Sequence, residues 1–229
     1  PGTYTGTYAI NNFPGATNGL TLTSATGVAG DVIFSNAGNG NSIEINGASN
    51  VSISSMSFTQ SAAPTAASAG IFINNASNIA ITSCVLSGTA GNTSSNNRAI
   101  YATNTQGLIV IGNQISNAYY GIYHAGVASP SYSAGNQYIA NQMNNLYYYG
   151  IYLTNHQASI IDGNVMADFQ SNTSAQGIYL SRTTEMTITN NRITGQIGIY
   201  GIYMSNMNAP TTSGSQNLIA NNVINGDFS

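Results

Sequence analysis

A short unit of alternating apolar and polar residues recurs along most of the chain. Each copy reads as a small residue, usually Gly, then Ile or Leu, then an aromatic or polar residue, then in most copies a second apolar residue. The copies begin 22 to 29 residues apart, at 19–22, 42–45, 70–73, 99–102, 121–124, 150–153, 177–180 and 201–204. Alternation with a period of two, bounded by Gly, Asn and Ser, is typical of short β-strands. We therefore expect the second and fourth residues to point inward and the third to point outward.

A second block follows each unit at a varying distance and reads apolar-x-apolar-x-x-Asn-x-apolar, as in 108–115 and 186–193. Asn tolerates turn conformations, and its amide can bond to the same amide one repeat above and below. The block therefore predicts a ladder of asparagines, formed by Asn113, Asn141, Asn164, Asn191 and Asn221. Met56 and Cys84 take this place in earlier repeats, so the ladder is expected to fade toward the N-terminus.

The repeats predict one all-β domain, a right-handed parallel β-helix (β-solenoid) of about eight coils that spans residues 1–229. One coil of about 26 residues cannot bury its apolar face alone, but stacked coils can. The open ends of such a stack are exposed sheet edges, which proteins normally cover. We therefore expect the chain to be a fragment of a longer protein, with further segments of that protein or copies of it as partners.

An aromatic residue fills the outward position of the first unit in six successive repeats. These residues, the predicted binding or interface surface, are Phe72, Tyr101, Tyr123, Tyr152, Tyr179 and Tyr203. Glu44 and Thr21 are expected in the same file in the preceding coils. Like side chains in parallel register stack on one another, which could account for the file. The other interpretations of a stripe of Tyr are, in this order, a contact with another protein segment and stacking on a polysaccharide.

Charged residues are scarce, at 4% of the chain, with three Arg, no Lys and a net charge of −3. Nucleic acids and anionic membranes are recognised by clustered cations, so neither is an expected partner. No apolar run approaches the roughly 18 residues that a membrane span requires, so no membrane insertion is predicted. The uncharged, Asn-rich composition favours an extracellular or cell-surface location.

The repeats resemble those of the right-handed parallel β-helix family, the pectin-lyase-like superfamily, as found in large secreted bacterial surface proteins. The resemblance covers nearly the whole chain and implies the fold more strongly than the function. The function that we expect is a non-catalytic structural or adhesive module of a cell-surface or filament protein. The alternative is a carbohydrate-binding or polysaccharide-degrading β-helix.

The polysaccharide-degrading alternative requires clustered acids, because a glycosidase uses two carboxyl groups about 5–10 Å apart. Asp162, Asp168 and Glu185 are the best candidate cluster among the six carboxylates. A local surface ion pair, such as Arg182 with Glu185, is the competing interpretation.

His124 takes an inward strand position and His156 a turn one coil later, so the two are expected at different places in the coil and as structural residues. Cys84 is alone and is expected to be a small buried residue. No metal site and no cofactor are predicted.

Overall fold

The computed structural model describes residues 1–14, 19–170, 172–196, 200–207 and 216–227, and in them the strands form three long parallel sheets. Sheet 1 contains Tyr8–Asn11, Ile43–Asn46, Ser68–Asn74, Asn97–Thr103, Tyr120–Ala125, Tyr149–Thr154, Gln176–Ser181 and Tyr200–Ser205. Sheet 2 contains Leu20–Thr23, Ser49–Ser54, Ser77–Thr82, Ile109–Ile111, Gln137–Ile139, Ile160–Asp162, Thr187–Thr189 and Leu218–Ala220. Sheet 3 contains Gly2–Thr5, Val32–Asn36, Ser57–Gln60, Val85–Ser87, Gln114–Ser116, Gln142–Asn144, Val165–Ala167, Arg192–Gln196 and Val223–Asp227. A short pair, Ser133–Ala134 with His156–Gln157, and a 3-10 turn, Ala29–Asp31, complete the described elements.

The chain visits the three sheets in turn and adds one strand to each sheet per coil. Each strand therefore pairs with the equivalent strand of the next coil, as Ile100 pairs with Ile71 on one side and Ile122 on the other. The predicted right-handed parallel β-helix is confirmed, and the eight or nine described strands per sheet are close to the predicted eight coils.

The second sequence block forms two strands, which belong to different sheets. Ile109–Ile111 belongs to sheet 2, and Gln114–Ser116 belongs to sheet 3. Gly112 lies between them with a φ of 65°, and the left-handed conformation at this position bends the chain sharply from one sheet into the other. Alternation of apolar residues alone did not reveal this bend, because the inward file continues on both sides of it.

The core is a stack of aliphatic files inside the three sheets. The inward residues predicted for sheet 1, among them Ile71, Ile151 and Leu180, are 0% exposed. Ile81 and Ile188 of sheet 2, and Leu86 of sheet 3, are buried to the same extent. Because every inward residue contacts its equivalents one coil above and below, each coil depends on its neighbours for burial.

The asparagine ladder runs along the bend between sheets 2 and 3. Each Nδ2 donates to the Oδ1 of the next member at 2.9–3.0 Å, and that Oδ1 also accepts a backbone N–H. Each Nδ2 also donates to a backbone carbonyl one coil back, for example from Asn164 to Tyr138 at 2.8 Å. Cys84 occupies the place of the preceding member, and its backbone N–H donates to Asn113 Oδ1 at 2.9 Å.

The last member of the ladder was predicted wrongly. Asn222, not Asn221, accepts the bond from Asn191 Nδ2, at 2.9 Å. Asn221 lies at the bend itself with a φ of 56°, equivalent to Gly112. Two consecutive asparagines fit the sequence pattern equally well, but the side chain of the left-handed residue does not take part in the ladder.

Thr21 was also placed wrongly. Leu20–Thr23 pairs with Ser49–Ser54 in sheet 2, whereas the strand beside Glu44 in sheet 1 is Tyr8–Asn11, with Ala9 opposite Glu44. Residues 19–22 have the composition of a sheet 1 unit. In this coil, however, Tyr8–Asn11 is the strand of sheet 1, so Leu20–Thr23 continues into sheet 2.

We expect Asn164→Ala to lower the free energy of unfolding by about 3–5 kcal/mol. The change leaves buried donors of Asn141 and the Tyr138 carbonyl without partners, and each such loss costs about 1–3 kcal/mol. Urea denaturation measures the loss. Asn144→Ala, at an exposed position of sheet 3, is the control and should change stability by less than about 0.5 kcal/mol. Equal losses in the two variants would contradict the role given to the ladder.

Candidate functional site

The predicted aromatic file lies on the outer surface of sheet 1. Phe72, Tyr101, Tyr123, Tyr152, Tyr179 and Tyr203 are direct partners in the strand register. Each side chain is partly exposed. We call this row the main file.

Successive rings of the main file contact one another along the axis of the rod, edge to face between Tyr101 and Tyr123 and stacked from Tyr123 to Tyr203. Ring centroids of successive members are 4.6–5.3 Å apart. From Tyr123 to Tyr152 to Tyr179 the ring planes differ by only 8° and 2°. In this part of the file each ring turns its faces toward its neighbours, so the ring edges and hydroxyl groups point to solvent.

A second file runs beside the main file, nearer the start of each strand. Arg98, Tyr120, Tyr149, Gln176 and Tyr200 occupy its positions in register. Tyr120 stacks on Tyr149 with centroids 5.3 Å apart and planes at 5°. Both contact the main file edge to face, Tyr120 with Tyr123 at 4.9 Å and Tyr149 with Tyr152 at 5.0 Å. Tyr119, Tyr147 and Tyr148 extend the cluster in the adjoining turns. We call both files and these turn residues the tyrosine face.

Arg98 is a member of the tyrosine face that sequence reasoning missed. Its guanidinium carbon lies 4.2 Å from the Tyr101 ring centroid and 5.2 Å from that of Tyr123. A cation above aromatic faces is held by the ring quadrupoles, with about 0.5–2 kcal/mol of stabilisation. Its alignment with Tyr120 one coil later was the available signal, since both precede a Gly- or Ala-Ile-Tyr unit by one residue.

Dense packing of the rings makes the phenols harder to ionise. Removal from water raises the pKa of Tyr152 to about 12, and it raises the pKa of Tyr120 and Tyr149 further. Neighbouring phenols act in the same direction, because a phenolate would meet the oxygen atoms of adjacent rings. The phenols of Tyr120, Tyr149 and Tyr152 are therefore neutral at ordinary pH, and Arg98 adds a positive charge to the face.

The three candidate carboxylates lie in different parts of the coil. Asp162 is at the end of a sheet 2 strand and accepts bonds from Thr189 Oγ1 at 2.6 Å and Asn190 Nδ2 at 2.8 Å. Glu185 lies at the turn before the next sheet 2 strand and accepts from Gln157 Nε2 at 3.0 Å. Glu185 has a φ of 56° in that turn, whereas Asp162 pairs with Thr189, so the two carboxylates lie at opposite ends of Thr187–Thr189.

Asp168 is farther removed, because it follows Val165–Ala167 in sheet 3, beyond the asparagine bend. The structure therefore does not bring the three carboxylates together as a pair or a triad. Each belongs to a separate segment of the coil.

The structure does bring His124 and His156 together, which the sequence analysis did not expect. Their ring centroids are 4.4 Å apart, and both side chains are 0% exposed. The two residues lie one coil apart in the sequence. In the structure, the side chain of His156, in the turn after Tyr149–Thr154, contacts the inward-facing ring of His124 in the preceding coil. In another part of the core, burial raises the pKa of the Cys84 thiol, which is 1% exposed, to about 11.

A shallow depression on the outer face of sheet 3 is a further feature that sequence reasoning missed. It has a volume of about 280 Å³. Its lining residues are Val85, Gln114, Ile115, Ser116, Gln142, Met143, Asn144, Val165, Ala167 and Asp168. Gln114 lies beside Gln142, and Ser116 beside Asn144, so polar groups line the floor in register.

Comparison with known proteins identifies the family. Residues 17–228 match the family described as periplasmic copper-binding protein (NosD). The chain belongs to the NosD family. A search of curated proteins gives no match. Within the described ranges, no helix has the length and apolar character needed to cross a membrane.

Three solved structures are similar to this NosD-family chain in fold. ORF18 of Geobacillus virus E2 has 13% identity and a TM-score of 0.55, over 99% of this chain and 52% of that one. A glycoside hydrolase has 14% identity and a TM-score of 0.48, over 84% and 38%. The Dettilon tailspike protein has 12% identity and a TM-score of 0.37, over 88% and 60%. The chain thus spans about half the length of the first structure and less of the second.

The described residues of this NosD-family chain do not fit a copper site. In the described ranges, no three His, Cys, Asp or Glu side chains are grouped as metal ligands would be. Both ring nitrogens of His124 and both of His156 are engaged in hydrogen bonds within the protein. A copper ion bound by histidine requires a free ring nitrogen, and neither side chain offers one.

We expect the native chain to titrate its tyrosines in at least two steps. Partly buried phenols such as Tyr152 should ionise near pH 12, whereas tyrosines ionise near pH 10 in the unfolded chain. Because these pKa values are raised on folding, their contribution to stability is complete below about pH 10 and is lost as the pH rises through the folded values. Phenolate absorbance against pH measures the curve. The urea-unfolded chain is the control and should titrate in one step; coincident curves would contradict the packing described.

Proposed function

We propose that the chain is a non-catalytic structural module, a stiff β-helix segment of a protein that acts outside the cytoplasm, and that its tyrosine face packs against other polypeptide. The proposed partners are further segments of the same protein or copies of it. The observation that carries the proposal is the stacking of neighbouring rings in the main file, face against face. Tyr123, Tyr152 and Tyr179 present their faces to each other, so that they tie neighbouring coils together.

The same arrangement disfavours polysaccharide stacking as the role of the main file. A sugar ring binds an aromatic side chain across its face, and the faces in the middle of this file are already covered by neighbouring rings at 4.6–4.8 Å. Exposed ring edges and hydroxyl groups are suited instead to protein interfaces, where tyrosine provides a rigid apolar body with a hydrogen-bonding tip.

The non-catalytic part of the proposal is supported by the separation of the candidate acids. Asp162 and Glu185 are engaged with neighbouring Thr, Asn and Gln side chains, and they lie at opposite ends of the Thr187–Thr189 strand. A glycosidase pair is held about 5–10 Å apart across one bond of the substrate.

The extracellular part is supported by the family and by the composition. The NosD family is described as periplasmic. A chain with 4% charged residues and no Lys also has few sites for proteases that cleave after basic residues, which is an advantage outside the cell.

The experiment compares stability and polysaccharide binding in the same variants. Tyr152→Ala should lower the free energy of unfolding by about 3 kcal/mol, because it removes a stacked ring from between two others. Tyr132→Ala is the matched control, because Tyr132 lies in the 126–136 loop outside the tyrosine face, and it should cost less than about 1 kcal/mol. Both proteins are then tested for retention on a panel of soluble and insoluble polysaccharides.

The proposal predicts a stability loss in Tyr152→Ala and no polysaccharide retention that depends on Tyr152. Retention of the unmodified chain on a polysaccharide, abolished by Tyr152→Ala at unchanged stability, would overturn it. Turnover of any polysaccharide by the unmodified chain would overturn its non-catalytic part.

Carbohydrate binding is the second candidate, and the depression on sheet 3 is the observation that favours it. Gln114, Gln142 and Asn144 are exposed, and their amide groups offer both donors and acceptors without a charge. Such a surface suits the hydroxyl groups of a neutral glycan. If polysaccharide retention is found, Gln142→Ala should reduce it and Tyr152→Ala should not; the opposite pattern would exclude the depression.

A further inference from the structure

A pair of contacting histidines lies inside the middle of the rod, apart from the tyrosine face and the sheet 3 depression. His124 is in the inward file of sheet 1, between Ala102 and Leu153 in the strand register. His156 lies in the following turn and pairs with Ser133. Both side chains are 0% exposed, and their rings meet edge to face at 86°.

All four ring nitrogens have partners. His124 Nδ1 is 2.7 Å from the Tyr138 hydroxyl, and His124 Nε2 is 3.0 Å from the Thr105 carbonyl. His156 Nδ1 is 3.1 Å from Asn136 Nδ2, and His156 Nε2 is 3.2 Å from the His124 carbonyl. Carbonyls only accept and an amide nitrogen only donates, so each ring carries its proton on Nε2 and accepts at Nδ1.

A second proton on either ring has no acceptor unless a neighbouring group reorients. Protonation of His156 Nδ1 would place its N–H against the N–H of Asn136, and protonation of His124 Nδ1 would require the Tyr138 hydroxyl to turn away. A charge on one ring would also lie in direct contact with the other ring, out of reach of water.

Among the residues that the structure describes, the direct hydrogen-bond partners of the two rings supply no countercharge. The four partners, Tyr138, the Thr105 carbonyl, Asn136 and the His124 carbonyl, are all uncharged. Tyr138 is the titratable side chain that faces the pair from Gln137–Ile139, and burial raises its pKa well above the usual value, so it remains neutral. On the coil after His156, Thr184 donates its backbone N–H to the His156 carbonyl, and the adjacent Glu185 accepts a bond from Gln157.

We propose that the His124–His156 pair is an acid-sensitive joint in the rod. The coils that contain residues 120–162 stay folded at neutral pH and unfold locally, before the other coils, when the solution becomes acidic. Stacked-coil proteins can open locally, because each coil contacts only its neighbours.

The direction and the pH range of the change in stability follow from the histidine pKa values in the folded and in the unfolded chain. Burial lowers the pKa of His124 well below its usual value and lowers the pKa of His156 to about 4. In the unfolded chain both rings bind a proton below about pH 6.5. The stabilisation is therefore complete above about pH 6.5 and is lost as the pH falls toward 4, by about tenfold in the unfolding equilibrium per pH unit for each ring.

Urea unfolding between about pH 7.5 and pH 5 tests the proposal, because this range spans the ordinary histidine pKa and the chain has only two histidines. The unfolding equilibrium constant of the unmodified chain should rise toward about 100-fold per pH unit at the acidic end of the range. His124→Leu, which copies the residue at the equivalent position of the next coil, should reduce the rise to about tenfold per unit. The same pH dependence in both proteins, or none in the unmodified chain, would overturn the proposal.

Hydrogen exchange on the unmodified chain locates the opening and does not depend on whether the variant folds. After correction for the intrinsic effect of pH on exchange, amides in 120–162 should lose protection on acidification to a greater extent than amides in 43–87. Uniform loss of protection along the chain would overturn the assignment of the joint to the histidine pair.

Discussion

Register between successive coils is the constraint on which the rest of this molecule depends. Parallel strands lie about 4.8 Å apart, so any side chain repeated at one position of the coil meets its own copies at that spacing. Aliphatic side chains, asparagine amides and phenol rings all pack favourably at this distance, and the chain uses all three. The core, the Asn113–Asn222 ladder and the tyrosine face are three consequences of one register.

The register also determines which parts of the tyrosine rings are exposed, and this affects what the tyrosine face can bind. Rings at 4.6–4.8 Å with planes within 8° cover one another's faces and expose edges and hydroxyl groups. From the sequence alone, the ring faces of this file could be available to bind sugars. In the structure, neighbouring rings cover these faces, so the file connects successive coils and presents phenol hydroxyls at the surface. Arg98 takes part in the same packing. It occupies the second-file position in register with Tyr120, and its guanidinium group lies over the Tyr101 ring.

Sequence alone predicted the fold, the inward files and the main aromatic file, because each depends only on residues that recur at one position of the coil. It failed where neighbouring residues compete for one position, as with Asn221 and Asn222, and at Thr21, whose coil had already contributed Tyr8–Asn11 to sheet 1. The His124–His156 contact was missed because it joins an inward strand residue to a turn residue of the next coil, which no repeat predicts. The sheet 3 depression was missed for a similar reason: its lining combines outward residues of several coils with Asp168 in a turn.

A double-mutant cycle on Tyr152 and Tyr179 tests most directly whether the rings hold the coils together. Their centroids are 4.6 Å apart with planes at 2°, so removal of either ring should forfeit the same contact. If the stack acts as a spine, the unfolding free energies of the two single alanine variants and the double variant should give a coupling of about 0.5–1.5 kcal/mol. Additive losses, with a coupling near zero, would contradict the account and leave the tyrosine face as a surface without a structural role.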